Sequence, residues 1–156
     1  AVVSRGLGDV YKRQRLDRAK SFGAENILNP MKIDNVVDAI KDLTNGLGAH
    51  SSIDASSSSE ARSQSIKCLR TWGKACFVGE GGNVDIDVSN DLLRRQITLI
   101  GSWTFSKHGQ YECSEYIAEK KLKVDELFTH EWKLEQAKEA YELFDKQSDG
   151  KGVIYP

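Results

Sequence analysis

The chain has 156 residues, 22 Lys+Arg against 23 Asp+Glu, and a net charge of -1. Hydrophobic residues make up 39% and charged residues 29%, which suits one folded domain or a piece of a larger protein and excludes wholesale disorder. No charge excess draws the chain to nucleic acid or an anionic membrane, and no apolar stretch, that around Ile97 to Ile100 included, is nearly long enough to span a bilayer. The chain starts at Ala1 with no basic-then-apolar leader, so no secretory signal is expected. Cys68, Cys76 and Cys113 are odd in number and scattered, with no Cys-x-x-Cys. They read as reduced thiols of a cytoplasmic protein rather than a disulfide framework or a zinc knuckle.

Residues 1–14 (AVVSRGLGDVYKRQ) show no sustained period of 3.6 or 2. The GLGD run lacks a third glycine, a preceding strand and a well-formed helix opening, so it is a weak phosphate-loop signal. The segment looks like a linker or adapter scar and is expected to pack poorly on the rest.

From Arg15 helices alternate with short strands. Arg15 to Phe22 reads as a helix end with Leu16, Ala19 and Phe22 on one face, closed by Gly23. Ile27-Leu28 is a brief strand ended by Asn29-Pro30. Asp34 or Asn35 can cap a helix whose core stripe is Val36, Val37, Ile40 and Leu43. His50 to Ala55 is a strand candidate, unusually polar for a central parallel strand. Ser56 to Ser59 form a loop able to cap the helix Glu60 to Arg70, which carries Ala61, Ser65, Ile66 and Leu69. Lys74 to Gly79 is a compact strand. Val84, Ile86 and Val88 alternate with acids as a half-exposed strand, and Ser89 caps a short helix through Arg95. Ile97 to Trp103 is the strongest buried-strand candidate. Gln110 to Lys121 reads as a helix, Leu127 to Trp132 as a strand, Leu134 to Asp145 as a helix with Ala137, Ala140, Tyr141 and Phe144 on one stripe, and Val153 to Tyr155 as a last strand. Alternating strand and helix predicts an α/β fold with a parallel sheet covered on both faces. The strands at Ile27-Leu28, Ile53 to Ala55, Lys74 to Val78 and Ile97 to Gly101 are expected in one sheet.

Taken in order, the stretches RLDRAKSFGAENILNP (15–30), VVDAIKDLTNGLGA (36–49), IDASSSSEARSQSIKCLRTWGKACFVGEGG (53–82), LLRRQITLIGSW (92–103) and LFTHEWKLEQAKEAYELFDKQSDGKG (127–152) resemble the medium-chain dehydrogenase/reductase family, the zinc-type alcohol and polyol dehydrogenases. The resemblance implies a partial nucleotide-binding domain over 15–103, an incomplete Rossmann-type doubly wound parallel sheet, followed by a segment over 104–156 that returns to the catalytic domain. It implies a C-terminal part of the parent, with the first strand, the glycine-rich turn, the ribose-holding acid and every zinc ligand upstream. The parent would be a zinc- and NAD(P)-dependent enzyme acting on a small alcohol or polyol. It would be a homo-oligomer using Ile97 to Trp103 as a pairing edge, and this chain alone would be inactive, with no catalytic or metal-ligating residue of its own.

A dinucleotide sits across the carboxyl ends of parallel strands. By that rule and by the resemblance, Ala55 and Ser56 would approach the cofactor after one strand. Val78, Gly79 and Glu80 would offer backbone groups to the nicotinamide carboxamide after the next, and Ser102, Trp103 and Thr104 would lie beside the nicotinamide. The family usually has a glycine near Ser57, so the serine is a departure. Arg15 stands where members carry a basic residue near the adenosine ribose, with a solvated helix charge as the other reading. Lys151 stands where a basic residue reaches toward the pyrophosphate, or is a tail lysine. His50, His108 and His130 lie on separate elements without ligand spacing. Trp72, Trp103 and Trp132 are expected as packing residues. A zinc-free quinone-reductase-type member and a non-catalytic nucleotide-binding module remain alternatives. The module would need a complete phosphate-binding turn, which this chain lacks.

Overall fold

Local signals set most element boundaries in the computed structural model, which describes residues 2–3, 9–146 and 150–156. Asn35 takes the extended N-cap conformation, and its side chain accepts from Val37 N and Asp38 N to start α2 (Val36–Asp42). Ser58 does the same for α3 (Ser59–Lys67), accepting from Ala61 N. The preceding elements are β1 (Val2–Val3), α1 (Asp9–Ser21), β2 (Ile27–Leu28) and β3 (Ala49–Asp54). After α3 come β4 (Leu69–Phe77), a π-helical stretch Val88–Leu93, β5 (Thr98–Gly101), α4 (Lys107–Lys120), β6 (Phe128–Lys133), α5 (Ala137–Asp145) and β7 (Lys151–Tyr155).

Every strand pair among the described residues is parallel, as the α/β reading requires. The chain divides into two compact units, one holding 1–8 and 16–103, the other 9–15 and 104–156. In the first, β3, β4 and β5 form a three-stranded sheet in that order. Ile66 on α3 and Leu69 and Ala75 on β4 are fully buried, and Ala49, Phe77, Val84, Ile86, Leu92 and Ile97 pack around them. In the second, β6 and β7 pair with α5 between them in sequence. His130 and Trp132 stack with ring centroids 5.4 Å apart, and Phe144 of α5 meets Trp132 edge-on. No helix among the described residues is long and apolar enough to cross a membrane.

Five expectations change. The helix expected from Arg15 starts earlier, because α1 runs unbroken from Asp9 through Arg15 to Ser21, and Val2–Val3 pair with Ile27–Leu28, while residues 1 and 4–8 of the expected tail lie outside the described residues. Lys, Arg, Gln and Leu are good helix formers, and a started helix propagates at little further cost. Second, β2 does not join the three-stranded sheet: its hydrogen-bonded partner is β1, and no described strand links it to β3. Third, residues 84–88 form no strand, since no neighbour offers them a ladder, although Val84 and Ile86 still pack on the core. Fourth, the helix expected to reach Arg70 ends at Lys67, and Leu69 opens β4 instead. Fifth, β5 is not buried. It is an edge strand paired only with β4, and Leu99 and Ile100 are 43% and 42% exposed.

Candidate functional site

The register of the central sheet lines up three strand ends. Asp54 stands opposite Phe77, and Phe77 opposite Gly101. The chain leaves all three strands at the same level, and backbone bonds continue past the ladder. Val78 N donates to Asp54 O at 2.8 Å, Gly79 N to the same oxygen at 3.1 Å, and Ser102 N to Phe77 O at 3.0 Å. Ala55-Ser56, Val78-Gly79-Glu80 and Ser102-Trp103 therefore emerge side by side along one carboxyl edge. All are exposed except the half-buried Gly79. Thr104, with φ 47, opens the second unit.

A buried ion pair holds the first two exits together. Asp54 and Arg62 are only 4% and 7% exposed. Arg62 Nε donates to Asp54 Oδ2 at 3.2 Å, and Nη2 donates to the carbonyl of Gly79. The guanidinium also lies 5.4 Å from the centre of the Phe77 ring. Asp54 Oδ1 accepts from Ser56 N at 3.1 Å and from Ser56 Oγ at 2.6 Å. Each carboxylate oxygen has a donor, which a buried charge requires.

The exits also touch through backbone. Ser57 has φ 62, the left-handed conformation that glycine tolerates best, at the place where the resemblance leads one to expect a glycine. A Cβ on Gly79 would lie 2.7 Å from Ser57 N, and one on Gly82 would collide with Ser57 O. These glycines are fitted to a close approach of two loops. The edge itself is open. A cavity of about 640 Å³ lies elsewhere, lined by Asn35, Lys41, Ser63, Lys67, Arg70 and Arg95 among others. The site therefore rests on strand-end geometry rather than on a closed pocket.

The structure brings Ala55, Ser56, Val78, Gly79, Glu80, Ser102 and Trp103 together and leaves two cations as separate features. Arg15 is exposed on α1. Lys151 is exposed at the start of β7 in the second unit, where its carbonyl accepts from Thr129 Oγ1 at 3.2 Å. Trp132 packs, but Trp72 and Trp103 are 67% and 66% exposed, contrary to the packing role expected for them. Trp72 stands in β4 with φ 60, and Trp103 follows the edge strand β5. His50 is exposed on β3, His108 lies 3.3 Å from Glu112 on α4, and His130 belongs to the aromatic stack. Among the described residues no group of three or more His, Cys, Asp and Glu could hold a metal ion.

Asp54, Arg62 and Gly82 are the residues that sequence reasoning passed over. One signal was available: Arg62 lies four residues before Ile66, on the helix face that carries the buried stripe. A cation there needs a buried partner.

A family model described as zinc-binding dehydrogenase matches residues 10–121. The zinc-type alcohol dehydrogenase-like protein YphC of Escherichia coli is 33% identical over 141 residues, covering 90% of this chain and 40% of that protein. L-threonine 3-dehydrogenase of Pyrococcus horikoshii is 29% identical over 145 residues, covering 90% and 41%. Among solved structures, an alcohol dehydrogenase of Thermotoga maritima superposes with a TM-score of 0.80 at 26% identity, over 92% of this chain and 40% of that one. Benzyl alcohol dehydrogenase of Acinetobacter calcoaceticus gives 0.78 at 28% identity, over 91% and 40%. The chain thus spans about two fifths of the length of each of these proteins.

Proposed function

The chain belongs to the zinc-binding dehydrogenase family, and from that premise we propose that it is the C-terminal part of an oxidoreductase moving hydride between an alcohol or polyol and a nicotinamide dinucleotide. Residues 15–103 are read as part of the nucleotide-binding domain and 104–156 as the segment returning to the catalytic domain. The single observation that carries the reading is the common carboxyl edge of β3, β4 and β5, where three exits leave abreast and two of them are locked together.

The bound dinucleotide supplies the hydride acceptor or donor. The residues of this chain bind and orient it. Ala55 and Ser56 present small side chains, so a flat ring can approach the strand end. The Val78-Gly79-Glu80 turn is read as facing the carboxamide, through the Val78 carbonyl and the Glu80 amide, preorganised because Gly79 N and O between them are already fixed by Asp54 and Arg62. Ser102, Trp103 and Thr104 flank the ring. Arg15 and Lys151 are read as the cations serving the ribose and the pyrophosphate. The described residues do not fit a zinc site, so no step through zinc is assigned to this chain, which on its own is read as inactive. The free edge of β5, with its half-exposed Leu99 and Ile100, is read as the contact of a homo-oligomer.

The test is a titration of the 156-residue chain with NADH, followed through its backbone amide resonances. Binding is expected in the millimolar range, since no complete pyrophosphate-binding turn is read in this chain. Shifts confined to Ala55–Ser56, Val78–Glu80 and Ser102–Thr104 support the reading. Shifts confined to other residues, or no shifts at saturating dinucleotide, overturn it.

A further inference from the structure

We propose that Arg62 is the positioning residue of this edge: through its guanidinium it sets the backbone of Gly79 and the loop after β3 in the one arrangement that receives the nicotinamide end of the cofactor. The inference rests on the dinucleotide reading above. Arg62 projects from α3 and reaches no solvent-facing role, being 7% exposed. Its fork spans two strand ends that are adjacent in the sheet but far apart in sequence, with Asp54 on one side and Gly79 on the other. Nη1 would lie 3.3 Å from a Cβ on Gly82, so the same head group also faces the Gly81-Gly82 turn. One planar donor thus binds the Asp54 side chain and the Gly79 backbone and stands beside the Gly81-Gly82 turn.

The chemistry favours arginine over any other cation here. A guanidinium donates in two directions within one plane and stays charged, whereas an ammonium is a point charge on a flexible stem. The carboxylate of Asp54 fixes the plane and neutralises the charge, and the Phe77 ring supports it from one side. With the plane fixed, the second donor falls on the Gly79 carbonyl. Gly79 N is already spent on Asp54 O, so both backbone groups of Gly79 are held and its peptide planes cannot rotate. The neighbouring groups of Val78 and Glu80 then keep their directions before the ligand arrives, the condition for orienting a ring at low entropic cost.

The experiment compares the wild-type chain with R62M and R62K. Without cofactor, amide exchange at Gly79 is expected to quicken about ten- to hundredfold more in R62M than exchange at Ile66 and Ala75, the range that loss of a charge-assisted hydrogen bond gives, the core amides reading the general cost of leaving Asp54 unpaired. R62K retains the charge without the fork and restores only part of the protection; should R62M fail to fold, R62K carries the same comparison. With NADH present, saturation transfer to the nicotinamide protons should fall relative to the adenine protons in both variants. A role in folding alone would lower the two together. Exchange at Gly79 that follows the core, or an unchanged nicotinamide-to-adenine ratio, overturns the inference. A wild-type chain without any dinucleotide footprint overturns the reading beneath it instead, and with it the cofactor role of Arg62.

Discussion

Replacing Gly79 by alanine isolates the close approach of the two loops from every other effect. Gly79 is not among the glycines with positive φ, so alanine introduces no backbone strain. The added Cβ would stand 2.7 Å from Ser57 N and 3.0 Å from both Ala55 C and Ser57 Oγ. Ordinary contact starts at 3.4 Å, so one loop must retreat by about 0.7 Å. The neighbours are largely backbone, and they are tied down. A retreat of that size stretches the 3.1 Å bond from Gly79 N to Asp54 O beyond useful length and moves the Gly79 carbonyl off Arg62. Losing a neutral bond costs roughly 0.5–1.5 kcal/mol and a charge-assisted one roughly 1.5–3. The expected destabilisation is therefore about 2–4 kcal/mol, a large part of the roughly 5–15 kcal/mol that holds an ordinary domain. Gly101 provides the control. It ends the next strand at the same level, and a Cβ there meets nothing within 4 Å. Urea unfolding of both variants gives the comparison through midpoint shifts at constant slope. Gly101→Ala should stay within about 0.5 kcal/mol of wild type. If Gly79→Ala unfolds at the same midpoint as Gly101→Ala, the loops are not in the contact described and the argument for a locked edge fails.

Three further outcomes follow from the same structure. Ile66 is fully buried against Leu69, Ala75 and Phe77, so Ile66→Ala should cost about 2–5 kcal/mol in the same unfolding assay, and a loss below about 1 kcal/mol would place the core elsewhere. Cys113 is exposed whereas burial pushes the Cys68 thiol up, so an alkylating reagent near neutral pH should label Cys113 well before Cys68 under native conditions, with equal rates refuting the burial. The backbone N–H of Asn90, then its side chain, holds the Asp87 carboxyl below its ordinary range. Its contribution to stability is then present above the ordinary carboxylate range and is lost as pH falls through the lower folded value; a carboxyl titration by NMR with its midpoint at or above the ordinary range would contradict the cap.

The candidate site was legible as positions but not as a structure. Ala55-Ser56, Val78 to Glu80 and Ser102-Trp103 could be named because the strand pattern tells where a chain leaves a parallel sheet and the family resemblance implies which exits meet a dinucleotide. What those exits do to one another depends on Asp54 and Arg62, eight residues apart, and on Gly79, seventeen residues beyond Arg62. No spacing rule for a single helix or strand links such positions. The left-handed backbone of Ser57 is a similar case. Serine carries no mark of positive φ, and only the chain around it imposes that conformation.

The sequence by itself determined whatever is decided within about one turn or one strand. The caps at Asn35 and Ser58 act on amides two or three residues away, and the alternation of helix and strand already implied parallel pairing. Tertiary structure alone decided the rest. Ile97 to Trp103 carries the composition of a buried strand, yet β5 lies at an edge, because burial depends on which elements cover a strand and not on its own residues. Val84, Ile86 and Val88 alternate as a strand should, yet form none, because a ladder needs a partner in register. Arg62 reads as one more helix charge until the fold sets a carboxylate and a carbonyl within its reach. Hydrophobic pattern and capping are local properties of a chain, whereas edges, buried charges and loop contacts are properties of neighbours that only the folded chain supplies.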